Sequence, residues 1–199
     1  MDVSINEKMK LSEHFSLAEL TKTSYHTCDG NIPSRVAIEN LRNLCENWLE
    51  DLRYSYNALY GEGVEKGVLC EQSEQARAKE ELQGVKGEFL RPFGSKRAEL
   101  ERKGQYQIPI IISSGYRSEE VNRKCGGAKG SNHLTGCAVD IHCYGPEQMI
   151  RMAGILLDIA DGTKREFDEL ILEKRGSTYW VHFAVRPKDN RRKILFDCV

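Results

Sequence analysis

His133 and Asp140 stand seven residues apart in Ser131-Asn132-His133-Leu134-Thr135-Gly136-Cys137-Ala138-Val139-Asp140, and a neutral imidazole with a carboxylate is a donor pair for a divalent metal ion. The spacing does not fit one face of a regular helix. A bend at Gly136 can close it, because glycine tolerates backbone angles that other residues avoid. Beyond the bend, Ala138-Val139-Asp140-Ile141 alternates, so in a strand Val139 and Ile141 face the core while Asp140 faces the other side with Ala138 and His142. The alternative for these two residues alone is that His133 caps a turn and Asp140 is an exposed strand residue.

A second candidate stretch is Thr178-Tyr179-Trp180-Val181-His182-Phe183-Ala184-Val185. As a strand it puts Val181, Phe183 and Val185 on one apolar face and leaves His182 on the other, available to a metal. Phe167-Asp168-Glu169-Leu170-Ile171-Leu172-Glu173 reads as the preceding strand, and a turn over Lys174 to Ser177 makes a hairpin in which Glu173 and His182 become neighbours across strands. Arg117, in Ser113-Ser114-Gly115-Tyr116-Arg117-Ser118, follows the β-branched run Ile108-Pro109-Ile110-Ile111-Ile112, so a turn at a strand end delivers it. A guanidinium there stays charged and can donate two parallel hydrogen bonds to a carboxylate or a developing oxyanion; the alternative is a surface ion pair.

The remaining elements position these residues. Ser16-Leu17-Ala18-Glu19 is a capping box that starts a short helix. His14 beside it reads as a surface or capping group. After the Asp29-Gly30-Asn31 turn, Pro33 opens the main core helix, with Ala37, Leu41, Leu44, Cys45, Trp48 and Leu52 in a 3.6-residue stripe that makes Trp48 a packing residue. Pro146 to about Asp161 is a second helix, packed on the sheet and without chemistry of its own. From about 53 to 107 the texture changes to glycines and to Glu, Gln, Lys and Ala, which builds little core.

Four strings carry a family resemblance: S-x-H-x-x-G-x-A-x-D at Ser131 to Asp140, S-G-Y-R-S at Ser114 to Ser118, W-x-H at Trp180 to His182, and H-F-S-L-x-E-L at His14 to Leu20. They resemble the zinc D-alanyl-D-alanine carboxypeptidases and related peptidoglycan peptidases, which share a zinc core with the Hedgehog signalling domain. The resemblance implies zinc held by His133, Asp140 and His182, with a fourth position open. It implies substrate binding by Arg117, Ser131 and Trp180, with Arg117 also stabilising the oxyanion. Many members place an acidic base three residues before the last zinc histidine; here that position is Tyr179. F-D-x-x-x-x-E at Phe167 to Glu173, followed by a hairpin, resembles the Hedgehog-type arrangement, and that resemblance implies Glu173 as the base. Relative to this family the stretch at about 53–107 is a charged insertion in a single domain spanning 1–199.

The fold expected is α+β, a small and largely antiparallel sheet with helices packed on one face and the zinc site on the other. The expected function is zinc-dependent hydrolysis of peptide bonds in peptidoglycan stem or cross-link peptides, as a carboxypeptidase or an endolysin-like endopeptidase. Two rivals are a non-catalytic zinc module that binds cell-wall peptides or a protein, and a structural component of a phage particle.

Composition sets the outer bounds. The chain has 199 residues, 40% of them hydrophobic, with 29 Lys and Arg against 30 Asp and Glu and a net charge of −1. Balanced charge gives no basic surface for nucleic acid. No apolar run nears the ~20 residues of a membrane span, and the first ten residues hold no secretory signal, so the expectation is a soluble monomer made in the cytoplasm that reaches the wall by phage-type release. Seven cysteines, an odd number without C-x-x-C spacing, suit free thiols, and Cys137 and Cys143 share the core parity of Val139 and Ile141.

Overall fold

The computed structural model describes residues 9–60 and 108–198. The chain divides into two units, Met1–Arg53 together with Pro109–Val199, and Tyr54–Ile108. In the first unit a five-stranded sheet has the order β1-β2-β4-β3-β5, with β1 Ile112–Ser114, β2 Ala138–Cys143, β3 Glu169–Arg175, β4 Thr178–Ala184 and β5 Lys193–Cys198. Neighbours are antiparallel except β3 and β5, which are parallel. This is the expected α+β architecture.

Val139, Ile141, Val181 and Phe183 are wholly inaccessible to solvent, and Cys137 and Cys143 are buried with them. The main core helix begins when the Ser34 hydroxyl accepts the Ala37 N–H at 3.2 Å. It runs as α2 (Arg35–Leu44), a π-helical turn (Cys45–Leu49) and α3 (Glu50–Tyr60). The wider turn places both Cys45 and Leu49 in the buried stripe with Leu44, Trp48 and Leu52. Trp48 packs against Phe183 and Phe167, with ring centroids 4.9 and 6.4 Å apart, which fixes it as a core residue. The helix expected from Pro146 is α5 (Pro146–Thr163), with Met149, Met152, Ile155, Leu156 and Ile159 buried against β2, β3 and β4.

The capping box is present. The Ser16 hydroxyl accepts the Glu19 N–H at 3.3 Å and starts α1 (Leu17–Leu20). His14 pairs with the core helix: its Nδ1 lies 2.7 Å from Oε2 of Glu50, whose other oxygen accepts the Ser12 hydroxyl. A short helix, α4 (Glu119–Lys124), follows the Arg117 turn, capped by Ser118.

Two strand expectations need correction. The run Ile108 to Ile112 does not pair along its length; β1 starts only at Ile112, although the Ile111 carbonyl accepts the His142 N–H at 2.8 Å. Pro109 has no N–H to give a ladder. The expected strand from Phe167 begins at Glu169 and continues to Arg175, and β5 beside it was not anticipated.

In the second unit the described residues are few. Tyr56 and Tyr60 stack at 5.1 Å, and the Asn57 side chain brackets Ile108, accepting its N–H at 2.6 Å and donating to its carbonyl at 3.0 Å. Most of the insertion expected at 53–107 lies outside the described residues; 53–60 belong to α3. No described helix is long and apolar enough to cross a membrane. The described cysteines, Cys28, Cys45, Cys125, Cys137, Cys143 and Cys198, are free thiols.

Candidate metal centre

The site is assembled by the two central strands and the turn that leads into one of them. Ser131 starts a 3-10 turn, Asn132–Thr135, its hydroxyl accepting the His133 N–H at 3.3 Å. Gly136 ends the turn at φ 70°, where the chain reverses into β2. Any side chain there would be strained and would also collide with the carbonyl of Ala37 in α2, so the bend needs glycine for two independent reasons. In β2 and β4, Asp140 and His182 stand directly opposite each other.

The three candidate ligands meet. Nε2 of His133 lies 3.2 Å from Oδ1 of Asp140 and 3.2 Å from Nδ1 of His182, and that Nδ1 lies 2.9 Å from the same carboxylate oxygen. Donors on a tetrahedral zinc at about 2.0–2.1 Å stand roughly 3.3 Å from one another, so the donor set fits the ion. His133 and Asp140 are buried, and His182 is 8% exposed.

The next layer fixes the ligand atoms. Nδ1 of His133 lies 2.6 Å from the carbonyl of Gly115. A carbonyl only accepts, so this nitrogen carries the proton and Nε2 presents a lone pair to the site. Gly115 is itself pressed against the backbone of Leu20 at the end of α1, whose carbonyl accepts the Tyr116 N–H at 2.7 Å. The N-terminal helix thus braces the loop that orients the first histidine. Nε2 of His182 faces Oε2 of Glu169 at 3.7 Å. Asp140 uses its second oxygen, Oδ2, to accept from Arg117, while Nε of Arg117 donates to the Ser114 hydroxyl at 2.7 Å.

Charge follows from this packing. Burial works against an ionised Asp140, but the two histidines on its carboxylate outweigh burial and hold it well below the usual range. Burial lowers His133, and the Asp140 carboxylate opposes that shift. Burial would also lower His182, yet its hydrogen bond to Asp140 and the contact with Glu169 raise it to about 9 in the metal-free protein. Glu169 is held at about 2, chiefly by His182. Glu173 moves the other way: burial pushes it up, and the Asp140 carboxylate adds to the shift.

A cavity of about 500 Å³ is lined by all the residues singled out in the sequence: Arg117, Ser131, His133, Asp140, Glu173, Trp180 and His182. Glu173 does not stand opposite His182. Its register partner is Trp180, and Ile171 faces His182 between Glu169 and Glu173. His142 stays out of the lining and packs edge-on against Tyr144 at 5.3 Å.

Sequence reasoning passed over three supporting residues. Glu169 shares strand parity with Ile171 and Glu173, so the hairpin pattern contained its signal. Asn31, read only as part of a turn, is buried and fastens the Arg117 loop: its Oδ1 accepts the Ser118 N–H at 2.7 Å and its Nδ2 donates to the Thr21 and Tyr116 carbonyls at 2.7 and 3.3 Å. Asp168 is fully buried and holds the Arg191 guanidinium through two hydrogen bonds of 2.8 and 2.6 Å, while Asn132 donates to it at 2.8 Å.

Comparison with curated proteins gives no match. A family model described as Peptidase M15 matches residues 64–165, a span that contains Arg117, His133 and Asp140 and ends before Glu173 and His182. It covers just over half of the 199 residues, and its family is the one whose motifs were read at Arg117, His133 and Asp140. The chain belongs to the peptidase M15 family.

Proposed function

We propose that this peptidase is a zinc enzyme that hydrolyses peptide bonds in peptidoglycan stem or cross-link peptides. The observation that carries the reading is the triangle of ligand atoms, His133 Nε2, Asp140 Oδ1 and His182 Nδ1, with edges of 2.9–3.2 Å. Two histidines and one carboxylate leave a coordination position open, which is the pattern of catalytic rather than structural zinc. Bound zinc would supply Lewis acidity, polarising the scissile carbonyl and making a coordinated water acidic enough to react near neutral pH.

The chain's own groups do the rest. Glu173, a cavity carboxylate whose proton affinity is raised by burial, takes the proton of the attacking water and delivers it to the leaving amine. Arg117 has two tasks. It neutralises the outer oxygen of Asp140, and it donates from the cavity wall to substrate carboxylate or developing oxyanion. Ser131 and Trp180 line the same cavity and contact the peptide.

The experiment is incubation of the purified protein with muropeptides, with and without a chelator, followed by mass spectrometry. Zinc-dependent loss of a terminal residue or scission of a stem or cross-link supports the reading. Intact muropeptides with zinc-loaded protein would refute it in favour of a binding module.

A further inference from the structure

A second cavity, of about 690 Å³, opens beside the first and shares Gly130, Ser131, Asn132 and Arg191 with it. Its charged lining is Lys129, Arg186, Lys188 and Arg191, with no carboxylate among the lining residues. The first cavity is mixed, with Asp140, Glu169, Glu173 and Asp197 in its wall beside Arg117, Arg175 and the shared Arg191. One continuous surface therefore runs from a candidate metal site of mixed charge to a groove lined by cations alone.

The groove is built rather than a chance meeting of loose side chains. Buried Asp168 accepts from the Arg191 backbone N–H and from both Nε and Nη2 of that residue, and it lies 3.6 Å from Nη1 of Arg186. Asn190 clasps the intervening turn, accepting the Arg186 N–H at 2.8 Å and donating to the Arg186 carbonyl at 2.9 Å. These contacts occupy part of the arginines' charge. Lys129 and Lys188 have no ion-pair partner among the described residues, so the groove keeps uncompensated positive charge.

We propose that this groove binds a free carboxylate of the substrate, on a part of the peptide away from the scissile bond, and so selects peptides that keep that carboxylate over those in which it is amidated. The inference rests on the peptidase reading above. A carboxylate meets ammonium and guanidinium groups through charge-assisted hydrogen bonds, whereas the isosteric carboxamide brings no charge to them. The shared wall at Ser131 and Asn132 puts the groove within reach of a chain whose reacting bond sits at the metal site.

The test uses two synthetic stem-type peptides identical except that one side-chain carboxylate is a carboxamide. Binding is measured by calorimetry, and turnover alongside it, for wild type and for Lys129→Gln/Lys188→Gln. Wild type is expected to bind the acid about tenfold more tightly. The double variant, with an unchanged melting temperature, is expected to bind acid and amide alike. Equal binding by wild type, or a preference that survives in the double variant, overturns the groove. Acid preference without cleavage keeps the groove and refutes the peptidase reading, while cleavage without preference does the reverse.

Discussion

Nδ1 of His133 is fixed 2.6 Å from the carbonyl of Gly115, and this one contact determines which nitrogen of the ring faces Asp140 and His182. The Arg117 N–H closes the same loop onto the His133 carbonyl at 3.1 Å, so a strand end, a turn and a ligand form one backbone unit. Its consequences can be measured.

Metal content is the first. Purified protein should carry close to one zinc per chain. His182→Ala should lose it, and His142→Ala, which alters a side chain of the same strand parity as Asp140 but outside the cavity, should keep it. Elemental analysis decides, and equal zinc in wild type and His182→Ala would refute the ligand set.

Chemistry is the second. Glu173→Gln keeps the side-chain shape and removes its basicity, so turnover on a confirmed substrate should fall by roughly 10²–10⁴-fold with zinc content unchanged. Wild-type turnover in this variant would move the base elsewhere.

Backbone geometry gives the third. Gly136→Ala places a β-carbon in a left-handed conformation and against the Ala37 carbonyl. The conformation alone costs about 1–2 kcal/mol. Urea unfolding of the metal-free protein should show at least that loss, and zinc affinity should fall with it.

Asn31→Ala should act at a distance. It removes three hydrogen bonds, one to Thr21 and two that fasten Tyr116 and Ser118 on either side of Arg117, at a cost on the order of 2 kcal/mol, and frees Arg117 from its setting. A raised KM together with a lowered melting temperature is the expected signature.

Acid should expose the buried carboxylate under the cationic loop. Burial opposes the charge on Asp168, but Arg191 and Asn132 hold it at about 2, below its ordinary value near 3.8. A depressed carboxylate stabilises the fold above its unfolded pKa, and that contribution fades as pH falls from about 4 through 2. Asp168→Asn should therefore be less stable than wild type at pH 7, with the gap narrowing towards pH 2 in denaturant titrations.

The His133–Asp140–His182 triangle was legible because each candidate ligand stood out from a pattern: Asp140 interrupts Val139 and Ile141, His182 interrupts Val181 and Phe183, and Gly136 marks the bend between His133 and its strand. The core helix was legible from its stripe, although nothing in it announced the π-helical turn. What stayed hidden depends on contacts distant in sequence. Asn31 joins groups 10 to 87 residues away, and Asp168 gains its meaning only when Arg191 folds back onto it. Strand β5 was hidden for another reason: all six of its residues are exposed, so burial leaves no alternation to read.

Asp140 and His182 face each other across the two central strands, and this ties the site to the way the sheet assembles. A slip of one residue between β2 and β4 would set Val181 or Phe183 against Asp140 and turn a core side chain towards water. Only the native alignment completes the ligand set. A metal that binds this alignment and not the slipped ones stabilises it by mass action, so the ion would proofread strand register during folding. Refolding with zinc should then yield a narrower range of products than refolding in chelator.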